Sequence, residues 1–383
     1  MPLKKTIVPN ILAFIIVLSF MFFRPGIFGQ INSSVGIFLF LLAPLFASMV
    51  FNLKVNVAPD YVFYFSLGLF WSLVIMFGLL GDSNLDFVLK AVVANSLTVI
   101  IGCFLVLGNR DVCNRVVDFY LLILACCGYS SFITAVLFFS GLSIEQLSIA
   151  VLDLGYDSSS QLLLPFSVLY HEMNVGTLSF PRFQSVFRES GIAQAFFVWA
   201  FAMAYFGSKN KWLLLGLIFG LLLTFSTTGL TTALIVFPLV FFAKRGLSGT
   251  IPHKVKTIIM YFFLVIMALG LAYYLTLNIP YFGVMDKIET HGASIDDRLP
   301  DFDNISMLGS GLYSDSAINL LKGIDSLGIV LTVLYTFLFT FMCWGGKGKV
   351  AGFKISIALL PLFITSLLAQ PIVDAPLVYI VIF

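Results

Sequence analysis

Charged residues are scarce in this sequence. Only 10% of the 383 residues are Asp, Glu, Lys or Arg, whereas 60% are hydrophobic and Phe alone contributes 42. A soluble domain of this composition would lack the polar surface that is needed to cover its apolar side chains. The composition therefore excludes an ordinary soluble protein and predicts a polytopic membrane protein.

The sequence also lacks the short motifs of several enzyme classes. It contains no GxGxxG, Walker A, HExxH or GxSxG motif, and its acidic residues do not follow the calcium-loop pattern. All five cysteines fall within predicted spans or cytoplasmic loops, so no disulfide framework is expected. Nucleotide binding and metallohydrolysis have no support, and we expect no cofactor, no metal ion and no nucleic-acid partner.

Apolar runs predict an all-α bundle of about twelve membrane spans. A hydrocarbon core of about 30 Å is crossed by about 20 helical residues, and shorter runs need protein around them. The last run has only 12 residues, so eleven spans followed by a partial or re-entrant helix is the alternative. The predicted spans lie near residues 8–23, 34–52, 61–80, 88–107, 117–139, 191–206, 212–225, 230–243, 257–277, 327–344, 351–369 and 372–383.

The distribution of charge predicts the orientation of this bundle. The first span follows two lysines and has no small-residue cleavage site before Arg24, so we interpret it as a retained signal anchor with the amino terminus in the cytoplasm. Fourteen of the 21 basic residues then face the cytoplasm, and all acidic residues except Asp60, Asp111 and Asp118 face the other side. The fourteen are Lys4, Lys5, Lys54, Arg110, Arg115, Lys209, Lys211, Lys244, Arg245, Lys254, Lys256, Lys347, Lys349 and Lys354.

Two loops on the outer face are much longer than the others. They comprise residues 141–190 and 278–326 of a single integral membrane domain that covers residues 1–383. Loops longer than about 15 residues are usually functional or disordered, and the apolar stretch Leu162 to Phe166 argues against disorder. We expect both loops to fold as a cap over the helices.

A short hairpin is predicted between Lys211 and Lys244, because both lysines lie on the same side. The polar sequence Ser226, Thr227, Thr228, Gly229 falls near its turn, and each arm is only about 20 Å long by helical rise. Polar backbone at this depth needs burial by protein or a water-filled cavity, so the turn is predicted to form the floor of a cavity. The alternative is that these hydroxyls donate to the helix carbonyl four residues earlier.

The first outer loop ends in a charged segment that contains Arg182, Arg188 and Glu189. Charge beside a bilayer is costly, which makes this segment a candidate functional site. A guanidinium binds phosphate oxygens through a planar fork of donors, and the N–H groups at the start of the next helix favour an anion. The segment therefore predicts a diphosphate site at the outer boundary of the membrane. The alternative is that Arg188 pairs with Glu189 or extends to lipid headgroups.

The second outer loop offers His291 and Arg298. The loop is rich in acidic residues, so Arg298 has an alternative as a locally neutralised charge. An isolated histidine near the surface is more often solvated than catalytic.

These segments together resemble the O-antigen polymerase (Wzy) and O-antigen ligase superfamily of bacterial surface-polysaccharide assembly. The resemblance rests on Arg182 to Gly191 before an apolar helix, on Leu223 to Gly229 one hairpin later, and on Arg298 followed by Gly309. The plan of about twelve spans with two large outer loops is similar over nearly the whole chain. The first loop departs from the family pattern, because it lacks the ten-residue spacing to glycine after Arg182 or Arg188.

The resemblance implies a GT-C-like, metal-independent membrane glycosyltransferase. Such a polymerase joins undecaprenyl-diphosphate-linked oligosaccharide repeat units on the outer face of the cytoplasmic (inner) membrane, as in lipopolysaccharide or capsule synthesis. It implies that Arg182, Arg188 and Arg298 hold the diphosphate, with His291 or Glu189 near the attacking hydroxyl as base. Membrane lipid, a chain-length regulator and a flippase of the same pathway are the implied partners.

Two other functions stay open from the sequence. An O-antigen ligase of the same superfamily would share the fold and the lipid-linked donor. A lipid-linked oligosaccharide flippase or other transporter would be expected to carry ionisable residues inside its spans and an internal repeat, whereas nearly every charge here lies at a boundary or in a loop.

Overall fold

The described part of the protein is mostly helical. The computed structural model describes residues 2–22, 26–28, 35–36, 38–39, 41–42, 110–152, 160–175, 178–245, 263, 266, 270, 300, 305–307, 321–322, 324–325, 328–330, 332–333 and 349–368. The helices are α1 (Pro2–Met21), α2 (Arg110–Phe139), α3 (Ile144–Leu147), α4 (Ser190–Phe206), α5 (Lys211–Leu223), α6 (Thr227–Arg245) and α7 (Lys349–Leu368). The strands are β1 (Ala150–Leu152), β2 (Ser160–Leu164), β3 (Ser167–Val175) and β4 (Leu178–Phe183).

The chain divides into two compact units. The first comprises residues 1–123, 300–339 and 371–383, and the second comprises residues 124–299 and 340–370. In the first unit, α1 packs against the beginning of α2, where the rings of Phe20 and Tyr120 meet edge to face at 5.9 Å. Arg115 on α2 also donates to the amide oxygen of Asn10 on α1.

Six predicted spans coincide with these helices, namely those near 8–23, 117–139, 191–206, 212–225, 230–243 and 351–369. By length and composition, one described helix, Asn114–Phe139, is long and apolar enough to cross a membrane. Shorter apolar helices occupy Pro9–Met21, Ser190–Phe206, Lys211–Leu223, Gly229–Lys244 and Ile357–Leu367. The other six predicted spans lie wholly or largely outside the described residues, so the count of spans stays a prediction.

Helix α4 is the centre of the second unit. It contacts α5, α6 and α7, and its side chains are buried on several faces. Its sequence alternates alanines with aromatic residues, so large side chains such as Phe196 and Phe197 fit beside small ones. A helix that is apolar all round is stable only when neighbours surround it, which is the position that α4 takes.

Glycines allow α5 to lie very close to its neighbours in this unit. A Cβ atom placed on Gly128 of α2 would lie 1.8 Å from the carbonyl oxygen of Gly216 on α5. A Cβ atom on Gly220 would lie 2.2 Å from the ring of Phe197 on α4. Small residues at such crossings permit close backbone approach, and the helices gain van der Waals contacts there.

Residues 141–190, predicted to form the first outer loop, contain a four-stranded antiparallel sheet in the order β1-β2-β3-β4. The prediction of an all-α fold is therefore wrong for this segment. β2 and β3 are joined by the two-residue turn Pro165-Phe166, in which Phe166 has a φ of 68°. A bulky residue in the left-handed region is strained, so its surroundings must hold the turn. One such contact is the hydrogen bond from the Ser130 hydroxyl to the carbonyl of Pro165, at 2.5 Å.

The sheet is anchored by a small hydrophobic core beneath it. Ala135 of α2, Leu163 of β2, Leu169 of β3 and Phe183 of β4 are buried together there. Ile144 of α3 completes the cluster, and the sequence Ser143 to Gln146 gives that four-residue helix a capping box. This core fixes the end of β4, and with it the start of the charged segment that follows.

Candidate functional site

Arg182 lies on β4 against a bulge in the neighbouring strand. The β3–β4 register shifts between Leu169 and His171, which leaves Tyr170 as an extra residue on β3. The guanidinium carbon of Arg182 lies 5.5 Å from the centre of the Tyr170 ring. Bulges commonly redirect one side chain beside a functional site, and this one brings an aromatic face to a cation.

Arg182 also contacts the polar turn between α5 and α6. Its Nε donates to the carbonyl oxygen of Thr224 at 3.1 Å. The two residues are 42 positions apart in the chain. The arginine segment and the serine-threonine segment, which the sequence marks separately, therefore meet in the second unit.

The electrostatic surroundings keep Arg182 cationic and Tyr170 neutral. Burial lowers the pKa of Arg182 from its ordinary value, while the nearby Tyr170 and Glu189 raise it. Burial raises the pKa of Tyr170, Glu189 raises it further, and Arg182 opposes both effects. A guanidinium stays protonated at physiological pH despite such a shift, and a phenol with a raised pKa stays protonated as well. This corner of the sheet thus presents positive charge.

Arg188 and Glu189 form an ion pair at the entry to α4. The Nε atom of Arg188 lies 3.5 Å from Oε1 of Glu189, and the side chains are 28% and 21% exposed. Glu189 is also the residue that caps α4, although its side chain makes no capping hydrogen bond. The alternative that the sequence offered for Arg188, pairing with Glu189, is therefore observed. A pair with this exposure contributes at most about 1 kcal/mol.

The segment between the two arginines is fixed to the sheet by Gln184. Its backbone N–H donates to the carbonyl of Val168 at 3.0 Å, and its Nε2 donates to the Ser160 hydroxyl at 3.1 Å. The Phe187 N–H returns to the Gln184 carbonyl at 3.1 Å, which closes a turn in which Ser185 has a φ of 53°. The charged segment is thus part of the fold rather than an exposed loop.

The polar turn begins earlier than the sequence predicted. α5 ends at Leu223 and α6 begins at Thr227, so Thr227, Thr228 and Gly229 form the first turn of α6. The connection is Thr224 to Ser226, where Phe225 has a φ of 44°. By helical rise α5 is about 20 Å long, as predicted, but α6 is about 28 Å long and exceeds the prediction.

Thr224, which precedes the predicted turn residues, bonds back to the end of α5. It is fully buried, and its hydroxyl donates to the carbonyl of Leu221, three residues earlier, at 2.7 Å. Ser226, also buried, accepts the backbone bond from Leu230 at 3.0 Å, and it therefore marks the beginning of α6. The turn is therefore an ordered connection, and its Thr224 carbonyl accepts the hydrogen bond from Arg182.

Sequence reasoning missed Gln194 on α4. Its side chain is fully buried, and neither Oε1 nor Nε2 makes a hydrogen bond to any residue that the structure describes. A Cβ atom on Gly229 would lie 1.7 Å from Cδ and Oε1 of Gln194, so the amide lies directly against the first turn of α6. The available signal was one polar residue inside the apolar sequence Gly191 to Ala204.

Two candidate residues of the second loop, His291 and Arg298, lie outside the described residues. Whether they approach Arg182 therefore stays a prediction. Within the described ranges, His, Cys, Asp and Glu residues form no group of three or more that could hold a metal ion.

Tyr170 provides a first test of this geometry. Tyr170→Phe keeps the ring beneath Arg182, so we expect the thermal stability of the purified full-length protein to stay near wild type. Tyr170→Leu removes the ring face and is expected to lower the free energy of unfolding by about 1 kcal/mol. Equal losses in both variants, measured by thermal unfolding in detergent, would show that the hydroxyl rather than the ring matters.

The described site is therefore a cationic corner made by β4, the entry to α4 and the beginning of α6. It combines Arg182, the pair Arg188 and Glu189, and the buried amide of Gln194. Compared with protein-family models, curated proteins and solved structures, the chain matches none of them.

Proposed function

We propose that this protein is a polysaccharide polymerase that joins undecaprenyl-diphosphate-linked oligosaccharide repeat units. It acts in the cytoplasmic membrane, with the arginine site on the outer face and the amino terminus in the cytoplasm. The observation that supports this proposal most directly is the hydrogen bond between Arg182 and Thr224. It joins two of the three segments on which the family resemblance rests, although they are distant in sequence.

The chemistry of the site suits a diphosphate leaving group. A hydroxyl of one repeat unit attacks the anomeric carbon of another, the bond from that carbon to the diphosphate oxygen breaks, and the hydroxyl proton passes to a base. Negative charge then develops on the diphosphate, and a fixed cation beside it stabilises the transition state. Arg182 is suited to this role because the sheet, Tyr170 and the Thr224 carbonyl fix its position before substrate binds.

The base is less well defined than the cation. Glu189 lies beside Arg188, so its carboxylate is already the ion-pair partner of that arginine. His291, in the second outer loop, is the other candidate and would have to approach the same corner. We retain both residues in the proposal.

The deciding experiment is product analysis with the purified protein in lipid nanodiscs. Supplied with an undecaprenyl-diphosphate-linked repeat unit alone, a polymerase yields lipid-linked products that differ by whole repeats, which gel electrophoresis and mass spectrometry resolve. A ligase leaves the donor as single repeats until a lipid A acceptor is added. A flippase gives no new glycosidic bond under either condition. Either of the last two results would overturn the polymerase assignment.

A further inference from the structure

We propose that the amino-terminal end of α6, together with the Gln194 amide, is the subsite that receives a phosphate of the lipid-linked diphosphate. The identity of this ligand rests on the proposed function, whereas the position of the subsite rests on the structure. It moves the centre of anion binding from the start of α4, where the sequence suggested it, to the start of α6.

The first observation is the end of α6 itself. α6 has 19 residues, and its first described helical bond runs from Leu230 N–H to the Ser226 carbonyl. In any α-helix the N–H groups that precede this bond have no acceptor inside the helix, and they carry the positive end of the helix dipole. The first turn of α6 contains no acidic residue that would neutralise this end. Such a terminus favours a phosphate.

The second observation is the amide of Gln194. It is fully buried, it lies against Gly229 in the first turn of α6, and both of its polar atoms lack a hydrogen bond to the described residues. Burial without hydrogen bonds destabilises a protein, so such a group usually has a functional reason. Oε1 is the polar amide atom nearest Gly229, so a half-turn of the amide about its last torsion would present Nε2 there instead. A phosphate oxygen at the end of α6 would then accept from Nε2 and from the helix N–H groups together.

The third observation separates α6 from the start of α4. Glu189 is the N-cap residue of α4, but its carboxylate makes no capping hydrogen bond and pairs with Arg188 instead. In contrast, the connection before α6 carries the Thr224 carbonyl that holds Arg182. An anion at α6 therefore lies near the Arg182 guanidinium, a helix terminus and a neutral amide, with no acidic residue in the first turn of α6.

The test measures binding of farnesyl diphosphate, a short polyprenyl diphosphate, to the full-length protein in nanodiscs by isothermal titration calorimetry. Gln194→Met removes the amide and keeps the volume, and we expect a dissociation constant about ten- to a hundredfold higher. We also expect Gln194→Met to unfold at the same or a higher temperature, because it removes a buried amide that has no described partner. Gln194→Glu places a negative charge beside the ligand and is expected to bind more weakly still.

The matched control is Asn114→Leu, which removes an exposed amide on α2. Its dissociation constant should equal that of wild type. Wild-type affinity in Gln194→Met would overturn the subsite. If the unfolding temperature of that variant is also lower, Gln194 has a purely structural role. If Arg182→Lys weakens binding while Gln194→Met does not, the subsite is wrong and the proposed function stands.

Two further probes identify the source of the phosphate. Inorganic pyrophosphate tests the diphosphate without its lipid, and glycerol phosphate represents a phospholipid headgroup. Weaker binding of glycerol phosphate than of pyrophosphate supports a diphosphate subsite. Equal binding of the two indicates a headgroup site and overturns the assignment to diphosphate. If the wild-type protein binds none of the three probes, both the subsite and the proposed function are contradicted.

Discussion

Arg182→Lys is expected to reduce the rate of polymer formation about a hundredfold, nearly as much as Arg182→Ala. A guanidinium carries five N–H donors in one plane, so its Nε can bind the Thr224 carbonyl while the group also contacts a phosphate. Lysine keeps the charge but has no such plane. Loss of two charge-assisted hydrogen bonds of about 1.5 kcal/mol each corresponds to roughly a hundredfold in rate.

Arg188→Lys is the matched comparison for this experiment. Arg188 pairs with Glu189 and is partly exposed, and a lysine supports a pair of this kind almost as well. We expect its rate to stay within about fivefold of wild type. The rates are measured with the reconstituted protein at equal amounts of folded protein. Full activity of Arg182→Lys, or equal losses at both arginines, would contradict a specific diphosphate contact at Arg182.

Most of the described helices could be predicted from the sequence because their signal is local. Long apolar runs bounded by charged or polar residues mark α2, α4, α5 and α6, and the observed ends differ from the predicted ones by only a few residues at most boundaries. The turn after α5 was misplaced because Thr227 and Thr228 have side chains common in turns. Their position after Ser226, which accepts the first helical bond, makes them helical instead.

The sheet was missed although a signal for it exists. Ser167 to Tyr170 follows the turn residues Pro165 and Phe166, and β2 before it is a short apolar run. Short runs bounded by turn residues are typical of strands, but runs of this length are ambiguous between helix and strand. The membrane-like composition of the whole chain favoured an all-α fold. In the structure, β3 pairs with both β2 and β4.

The site was only partly predictable for a different reason. Arg182 and the segment around Thr224 were both identified, because arginines and hydroxyls are rare and conspicuous in an apolar chain. Their contact across 42 residues depends on the β3 bulge at Tyr170 and on the close packing of α5. Neither a strand bulge nor a close helix crossing produces a periodic pattern in the sequence. Gln194 was overlooked because its importance arises only from its position against Gly229.

Gly229→Ala is expected to destabilise the protein and to reduce polymer formation at least tenfold. Inside a helix this change ordinarily stabilises by up to about 1 kcal/mol, because alanine has the higher helix propensity. Here the new Cβ would lie 1.7 Å from Cδ and Oε1 of Gln194, whose side chain is fully buried. Overpacking of this kind costs about 1–3 kcal/mol, so we expect a net loss of stability, measured by thermal unfolding in detergent.

Gly270→Ala is the control, because a Cβ atom there meets no atom within 4 Å. It is expected to leave stability and activity unchanged or slightly increased. The double variant Gly229→Ala with Gln194→Ala separates packing from binding, since contacting residues give non-additive effects. Removing the long side chain relieves the overlap, so the unfolding temperature should recover from that of Gly229→Ala. Activity should not recover, because the amide that contacts phosphate is absent. Recovery of both would show that Gln194 only fills space, and a simple gain of stability in Gly229→Ala would contradict its contact with Gln194.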